Sequence, residues 1–167
     1  MARILIKYGF MFIALVFIQV LLLNQVQFSG FVNPYMYVLF VLLLPLNTPR
    51  YAVLLLAFLL GLSIDIFLNS LGIHTAATVF IAYIRPYIIS SISSREEDRS
   101  EYPGLKQNKL RWFVLYSSIM VFIHHFILFF LEVFTFTDFF GTLYRIFLSS
   151  VFTIFVIVLS QFLIFRE

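Results

Sequence analysis

A carboxylate, an amide and an imidazole interrupt a largely apolar run, LLGLSIDIFLNSLGIHTAA, at positions 59–77. These residues are Asp65, Asn69 and His74, and Gly72 lies between the last two. A charged side chain is costly in hydrocarbon, so a polar residue in a membrane span is a candidate functional site. Three roles suit this group: capping of a turn between helices, binding of a partner or ligand, and transport of a proton or ion. A metal site is disfavoured because zinc normally takes three or four protein ligands.

Helical spacing places several of these residues on one face, because residues four apart lie above one another. The resulting stripe consists of Ala57, Gly61, Asp65 and Asn69. Ala57 and Gly61 form a small-xxx-small pair, which lets a second helix approach closely. The stripe should therefore face a helix or a polar cavity, and the helix can belong to this chain or to a partner. The carboxylate should accept hydrogen bonds from nearby donors: Asn69, Ser70, His74 or backbone N–H groups of the next helix.

The composition of the chain requires lipid as a solvent. Hydrophobic residues make up 62% and charged residues 11% of the 167 residues, and the mean hydropathy is +1.04. Soluble domains have roughly 45–50% apolar and about 25% charged residues. We therefore expect one integral-membrane domain, 1–167, with no separate catalytic domain. The absence of cysteine from the sequence excludes disulfides and thiolate chemistry.

Apolar segments of about 20 residues can cross a hydrocarbon core about 30 Å thick. Six candidate spans follow along the chain: about 8–23, 35–46, 51–68, 72 to 85–86, 112–134 and 139–165. The second is short, with Pro34 before it and Pro45 inside its end, so it can be a short helix, a broken helix or a re-entrant element. Pro86 should kink or end the fourth span. Arg85 should then extend towards the cytoplasm.

The basic residues predict the orientation, because cytoplasmic segments are rich in Lys and Arg. Six crossings put both termini on one side. That side would carry most of the basic residues: Arg3, Lys7, Arg50, Arg95, Arg99, Lys106, Lys109, Arg111 and Arg166. Both termini and the polar loop 93–111 should therefore be cytoplasmic. If the second span did not cross, that basic loop would lie outside, so the charge rule favours six crossings. The loop is interpreted as a solvated connection, with contact to a cytoplasmic partner or anionic lipid as the alternative.

The remaining polar residues give weaker signals. His124 and His125 are adjacent in the fifth span, so at most one should face a given partner, and both are expected as neutral imidazoles bonded to a neighbouring helix. Glu132, Asp138 and Arg145 should lie near the outer turn. The sequence has no phosphate-binding glycine loop, no paired carboxylates at catalytic spacing and no aromatic-interleaved basic patch. We therefore expect no enzyme activity, no metal, no cofactor and no nucleic-acid partner.

A short motif in this run resembles one in the MreD family of bacterial rod-shape-determining membrane proteins. Its residues are Gly61, Asp65 four positions later, Phe67, and Gly72 after a short turn, followed by small residues. The resemblance implies a non-enzymatic scaffold of the elongation machinery in the bacterial cytoplasmic (inner) membrane. It also implies association with MreC, and through MreC with the MreB filament, RodA and a class B penicillin-binding protein.

Two other functions compete with this one. A substrate-binding membrane subunit of a vitamin-type transporter would use Asp65, Asn69 and His74 as ligand contacts at an outer mouth. The MreD helix arrangement is itself said to look like such subunits of energy-coupling-factor transporters. A polytopic lipid-modifying enzyme would need several acids or histidines at one face, and the outer side offers few, so this function is disfavoured. On the scaffold interpretation, the candidate partner or structural contacts are Ala57, Gly61, Asp65, Asn69, Gly72 and His74.

Overall fold

The protein is an all-α membrane bundle. The computed structural model describes residues 2–25, 32–93, 101–134 and 138–164. Within these ranges the α-helices are α1 Ala2–Phe17, α2 Val38–Leu43, α3 Arg50–Leu68, α4 Ile73–Ile92, α5 Leu110–Val133 and α6 Phe139–Ile164. A π-helical turn, Ile18–Leu22, and a 3-10 turn, Leu23–Gln25, extend α1. Of the described helices, five are long and apolar enough to cross a membrane, and α2 is the exception. The predicted polytopic all-α fold is confirmed.

The second candidate span crosses the bundle as a broken segment. Its first half is extended, and the backbone N–H of Tyr35 donates to Thr153 Oγ1 at 3.1 Å, level with the middle of α6. Its second half is the six-residue α2, after which the Leu46 N–H donates to the Glu101 carbonyl at 2.9 Å. Near that same end, the Tyr8 hydroxyl donates to the Leu43 carbonyl at 3.0 Å. The segment therefore leaves the bundle at the end where α1 begins. Within the described residues, five long helices and this broken segment make up the bundle.

The two ends of the bundle differ in charge. One end carries Lys7, Arg50 and the segment 101–109, and we call it the basic end. The other carries the α3–α4 turn and the α5–α6 connection, and we call it the turn end. Residues 94–100 of the predicted loop lie outside the described residues. Its second half packs on the bundle, where Pro103 and Gly104 are buried and Asn108 Nδ2 donates to the Gly104 carbonyl at 3.0 Å.

Side chains satisfy the backbone of the broken segment. Irregular backbone at membrane depth must find internal partners, because hydrocarbon offers none. In the extended half, Gln19 Nε2 donates to the Pro34 carbonyl at 3.0 Å and Ser149 Oγ accepts from the Asn33 N–H at 3.2 Å. At the end of α2, three successive carbonyls accept hydrogen bonds from Tyr116, Tyr8 and Arg85. The buried segment is thereby fixed to α1, α4, α5 and α6.

The prediction for Arg85 is wrong, and so is the prediction that the fourth span can end at Pro86. Arg85 is 4% exposed and donates to the Leu44 carbonyl and to the Tyr116 hydroxyl, instead of extending to the cytoplasm. A cation is also favourable beside the carbonyl end of a helix. α4 continues through Pro86 to Ile92. A transmembrane helix tolerates an internal proline where packed neighbours hold the chain on both sides of it, and here Ile89 is buried one turn further on.

Removal of the Arg85 guanidinium should destabilise the protein. Arg85→Met leaves the Leu44 carbonyl and the Tyr116 hydroxyl without this donor in a dry interior, which should cost about 1–3 kcal/mol. Thermal unfolding in detergent micelles measures the loss. Arg50→Met is the matched control, because Arg50 is exposed at the same end, and its stability should stay within about 0.5 kcal/mol of wild type. Equal stability of the two variants would contradict the role assigned to Arg85.

Candidate functional site

Asp65 joins the last turn of α3 to the first turn of α4. Its carboxylate is 3% exposed. Oδ1 accepts from Ser70 Oγ at 2.5 Å, from the His74 backbone N–H at 3.1 Å and from His74 Nδ1 at 3.0 Å. Oδ2 accepts from the Thr75 N–H at 2.8 Å and from Thr75 Oγ1 at 2.5 Å. The N-cap position of α4 is Gly72, which has no side chain to offer. Asp65 therefore supplies the missing cap from the preceding helix.

The turn between α3 and α4 uses two left-handed residues. Asn69 ends α3 at φ 52°, and Gly72 precedes α4 at φ 86°. Glycine adopts this conformation without strain, and asparagine is the usual alternative at a helix end. The Asn69 side chain is exposed, and its backbone N–H donates to the Asp65 carbonyl. The expected donors Ser70 and His74 do bind the Asp65 carboxylate. Asn69 does not, because the turn directs its side chain outward.

The small residues of α3 form an internal helix contact. A Cβ placed on Gly61 would lie 2.5 Å from Thr75 Cα and 2.9 Å from the His74 carbonyl oxygen. Only glycine allows α3 and α4 to approach this closely. Ala57, one turn earlier on the same face, is fully buried. The structure therefore brings Ala57, Gly61 and Asp65 together in one α3–α4 hairpin, with Gly72 and His74 at its turn.

A second polar cluster lies at the centre of the bundle and gathers all three histidines of the chain. The Tyr35 ring centroid lies 5.6 Å from that of His74, 6.2 Å from that of His124 and 5.3 Å from that of His125. The expectation that at most one of the adjacent histidines could face a given partner is therefore wrong. Tyr35 belongs to the extended half of the broken segment, and its ring makes edge-to-face contacts with both imidazoles.

The hydrogen bonds of this cluster tie helices together. His125 Nδ1 donates to the Val121 carbonyl at 2.8 Å, so its Nε2 accepts from Thr153 Oγ1 at 3.2 Å. His124 Nε2 lies 2.8 Å from the Tyr37 hydroxyl beside α2. The prediction of a bond to a neighbouring helix is confirmed for His125, whereas His124 bonds to the broken segment just before α2. In the part of the chain that the structure describes, no three His, Cys, Asp or Glu side chains converge to hold a metal ion.

Glu132, Asp138 and Arg145 lie at the turn end, as predicted. Arg145 Nη2 lies 3.2 Å from Glu132 Oε1, and its guanidinium stacks 4.3 Å from the centroid of the Phe129 ring. Asp138 Oδ1 accepts from the Gly141 N–H at 3.2 Å near the start of α6. These contacts connect α5 to α6 and order the helix end.

Sequence reasoning missed most of the residues that bind the broken segment, and two tyrosines within it that contact the histidines. Those that bind the segment are Tyr8, Gln19, Tyr116, Ser149 and Thr153. Those within it are Tyr35 and Tyr37. The sequence did indicate a buried role for three of them, because polar side chains in the middle of apolar spans need a buried partner. These three are Gln19, Ser149 and Thr153. The tyrosines gave no such indication, since tyrosine is also common where a helix meets the membrane surface.

Comparisons with known proteins add no relative. No family model, curated protein or solved structure matches the chain. The resemblance to the MreD family therefore stays a prediction, and its motif consists of four residues followed by small ones. Gly61, Asp65 and Gly72 build the hairpin, whereas Phe67 is 57% exposed on its outer surface.

Substitution of Gly61 should separate the two helices of the hairpin. Gly61→Ala forces a methyl group against the backbone of Thr75, and we expect a loss of about 1–3 kcal/mol, typical of overpacking. Gly9→Ala is the matched control, because nothing lies within 4 Å of a Cβ on Gly9. It should stabilise α1 by about 0.5–1 kcal/mol. Unfolding in detergent compares them, and a stabilised Gly61→Ala would refute the close contact.

Two substitutions of Asp65 should distinguish the stability contributions of its two carboxylate oxygens. Hydrogen bonds between transmembrane helices contribute about 0.6 kcal/mol each. Asp65→Leu removes all five of the bonds described above and should cost about 3 kcal/mol on that scale. Asp65→Asn keeps one acceptor but turns an NH2 group towards the N–H of Thr75, which should cost roughly 1 kcal/mol. The melting temperature should be highest for wild type, lower for Asp65→Asn and lowest for Asp65→Leu. A Leu variant as stable as wild type would rule out the capping role.

Proposed function

We propose that this protein is a non-enzymatic membrane scaffold of the bacterial cell-elongation machinery for rod shape and peptidoglycan synthesis. In this role it links an MreC-like membrane protein to an MreB-type filament, RodA and a class B penicillin-binding protein. The observation that supports the proposal best is the hydrogen bonding of Asp65. Its carboxylate binds groups within the α3–α4 hairpin, and it belongs to the motif that resembles the MreD family.

The internal use of the other polar residues supports the same function. His124 and His125 bond to the broken segment and to α6, and Arg85 holds the end of α2. These groups fix the shape of the bundle, and a fixed shape is what a scaffold offers its partners. Because Ala57 and Gly61 are used inside the hairpin, a partner helix would meet outward residues instead. On α3 the exposed apolar residues are Leu55, Phe58, Leu59, Leu62, Ile66 and Phe67.

A substrate-binding transporter subunit is the second candidate. It needs Asp65, Asn69 and His74 to contact one ligand at the turn end. The geometry favours it less, because Asp65 and His74 are 3% and 4% exposed and the Asn69 side chain points away from both. One atom favours it: His74 Nε2 is buried and has no hydrogen-bond partner in the described part of the chain.

Affinity purification from the native membrane in mild detergent should separate the two functions. We expect mass spectrometry of the tagged protein's eluate to recover an MreC-like protein, RodA and a class B penicillin-binding protein. A tagged multi-pass protein of similar size from the same membrane is the control. Recovery of an ATPase module or of a stoichiometric vitamin-sized molecule would instead support the transporter subunit. Recovery of neither set would refute the scaffold proposal.

A further inference from the structure

An apolar groove opens beside the broken segment at the basic end. Its volume is about 640 Å³, within the range of about 300–1,000 Å³ for small-molecule sites. One wall is a face of α1 that includes Met11, Ala14 and Ile18, and the other is a face of α2. At the basic end the groove is lined by residues of the segment 101–109 and by Gln161 of α6.

The length of the groove matches one leaflet of a bilayer. It runs along α1 from Lys7 to Ile18, which is about 16 Å at 1.5 Å per residue. Half of a hydrocarbon core about 30 Å thick is nearly the same length. The groove therefore begins at the membrane surface of the basic end and stops near the bilayer centre.

The groove has cationic and polar groups at its surface end and none deeper. Lys7 and Lys106 line this end and are exposed. Among the described residues, the ion pairs are those of Asp65 with His74 and of Glu132 with Arg145, so neither lysine is paired there. Gln161 is fully buried, and its Oε1 accepts from the Leu105 N–H at 3.5 Å. Its Nε2 lacks a hydrogen-bond partner within the described chain, so this donor is available to a ligand.

We propose that the groove binds one anionic phospholipid from the leaflet at the basic end. An acyl chain lies along α1 and α2, and the phosphate contacts Lys7 and Lys106, with Gln161 Nε2 as a further donor. Basic pockets between transmembrane helices on the cytoplasmic side are typical sites for anionic headgroups. The site is independent of the scaffold function, because it needs only this chain and a bilayer.

The charge at the surface end argues against a transmembrane helix as the occupant. An acyl chain is also much thinner than a helix, which is about 10 Å in diameter. Lys7 and Lys106 add charge complementarity to a phosphate, which a transmembrane helix would not supply.

Native mass spectrometry can test the site on the isolated full-length protein. The protein is released from nanodiscs of equal parts phosphatidylglycerol and phosphatidylcholine, and retained lipids are counted. We expect wild type to retain one phosphatidylglycerol in preference to phosphatidylcholine. Lys7→Gln with Lys106→Gln should lower that fraction about tenfold by removing the phosphate contacts. Ala14→Phe should do the same by filling the groove.

Two matched controls distinguish a site from general attraction to an anionic surface. Arg50→Gln with Lys109→Gln removes the same charge from the same end, outside the groove, and should retain the lipid. Leu55→Phe adds bulk to an exposed position of α3 and should also retain it. Equal loss in both charge variants, equal retention of both lipids, or wild-type retention by Ala14→Phe would overturn the proposal. A dimer that Ala14→Phe abolishes would overturn it too, because a second copy would then fill the groove.

Discussion

The need to satisfy backbone groups where water is absent governs this structure. One part of the bundle is a broken segment, and its extended half has no helical hydrogen bonds of its own. Side chains replace them there: Gln19 on the α1 extension, and Ser149 and Thr153 on α6. At the end of α2, Arg85 on α4 and Tyr116 on α5 donate to the last carbonyls. The long helices are thereby held around the segment at fixed distances. The polar residues in the middle of these helices thus serve the backbone of another part of the chain.

The same requirement explains the motif residues. The first N–H groups of α4 need acceptors, and Gly72 at the N-cap has no side chain to provide one. Asp65 fulfils that role from α3, and Gly61 allows the two helices to come close enough for it to do so. The carboxylate is tolerated in the membrane because every bond it accepts replaces one that water would have made. A motif of this kind marks a rigid hairpin whatever the protein's function.

Much of the fold followed from the sequence, and the errors have one physical cause. Span length and composition predicted the five long helices, and a four-residue period placed Gly61 and Asp65 on one buried face. The second span stayed ambiguous because its helix is only six residues long. The Arg85 prediction assumed that the nearest polar medium was the membrane surface. The structure provides a nearer acceptor, the Leu44 carbonyl, from a segment 41 positions away in the chain. Periodicity within one helix cannot reveal such a partner.

Because of the broken segment, effects of mutations on stability can also be distinguished from effects on partner association. Its polar contacts lie inside the bundle, so a change at Arg85 or Asp65 alters the shape of the whole protein and every surface together. The groove and the outer face of α3 carry few internal contacts, so changes there can alter binding while the bundle stays intact. A variant that loses a partner without losing stability therefore locates an interface, whereas one that loses both reports on the interior. Partner recovery and melting temperature must be measured on the same variants, because either quantity alone confuses the two cases.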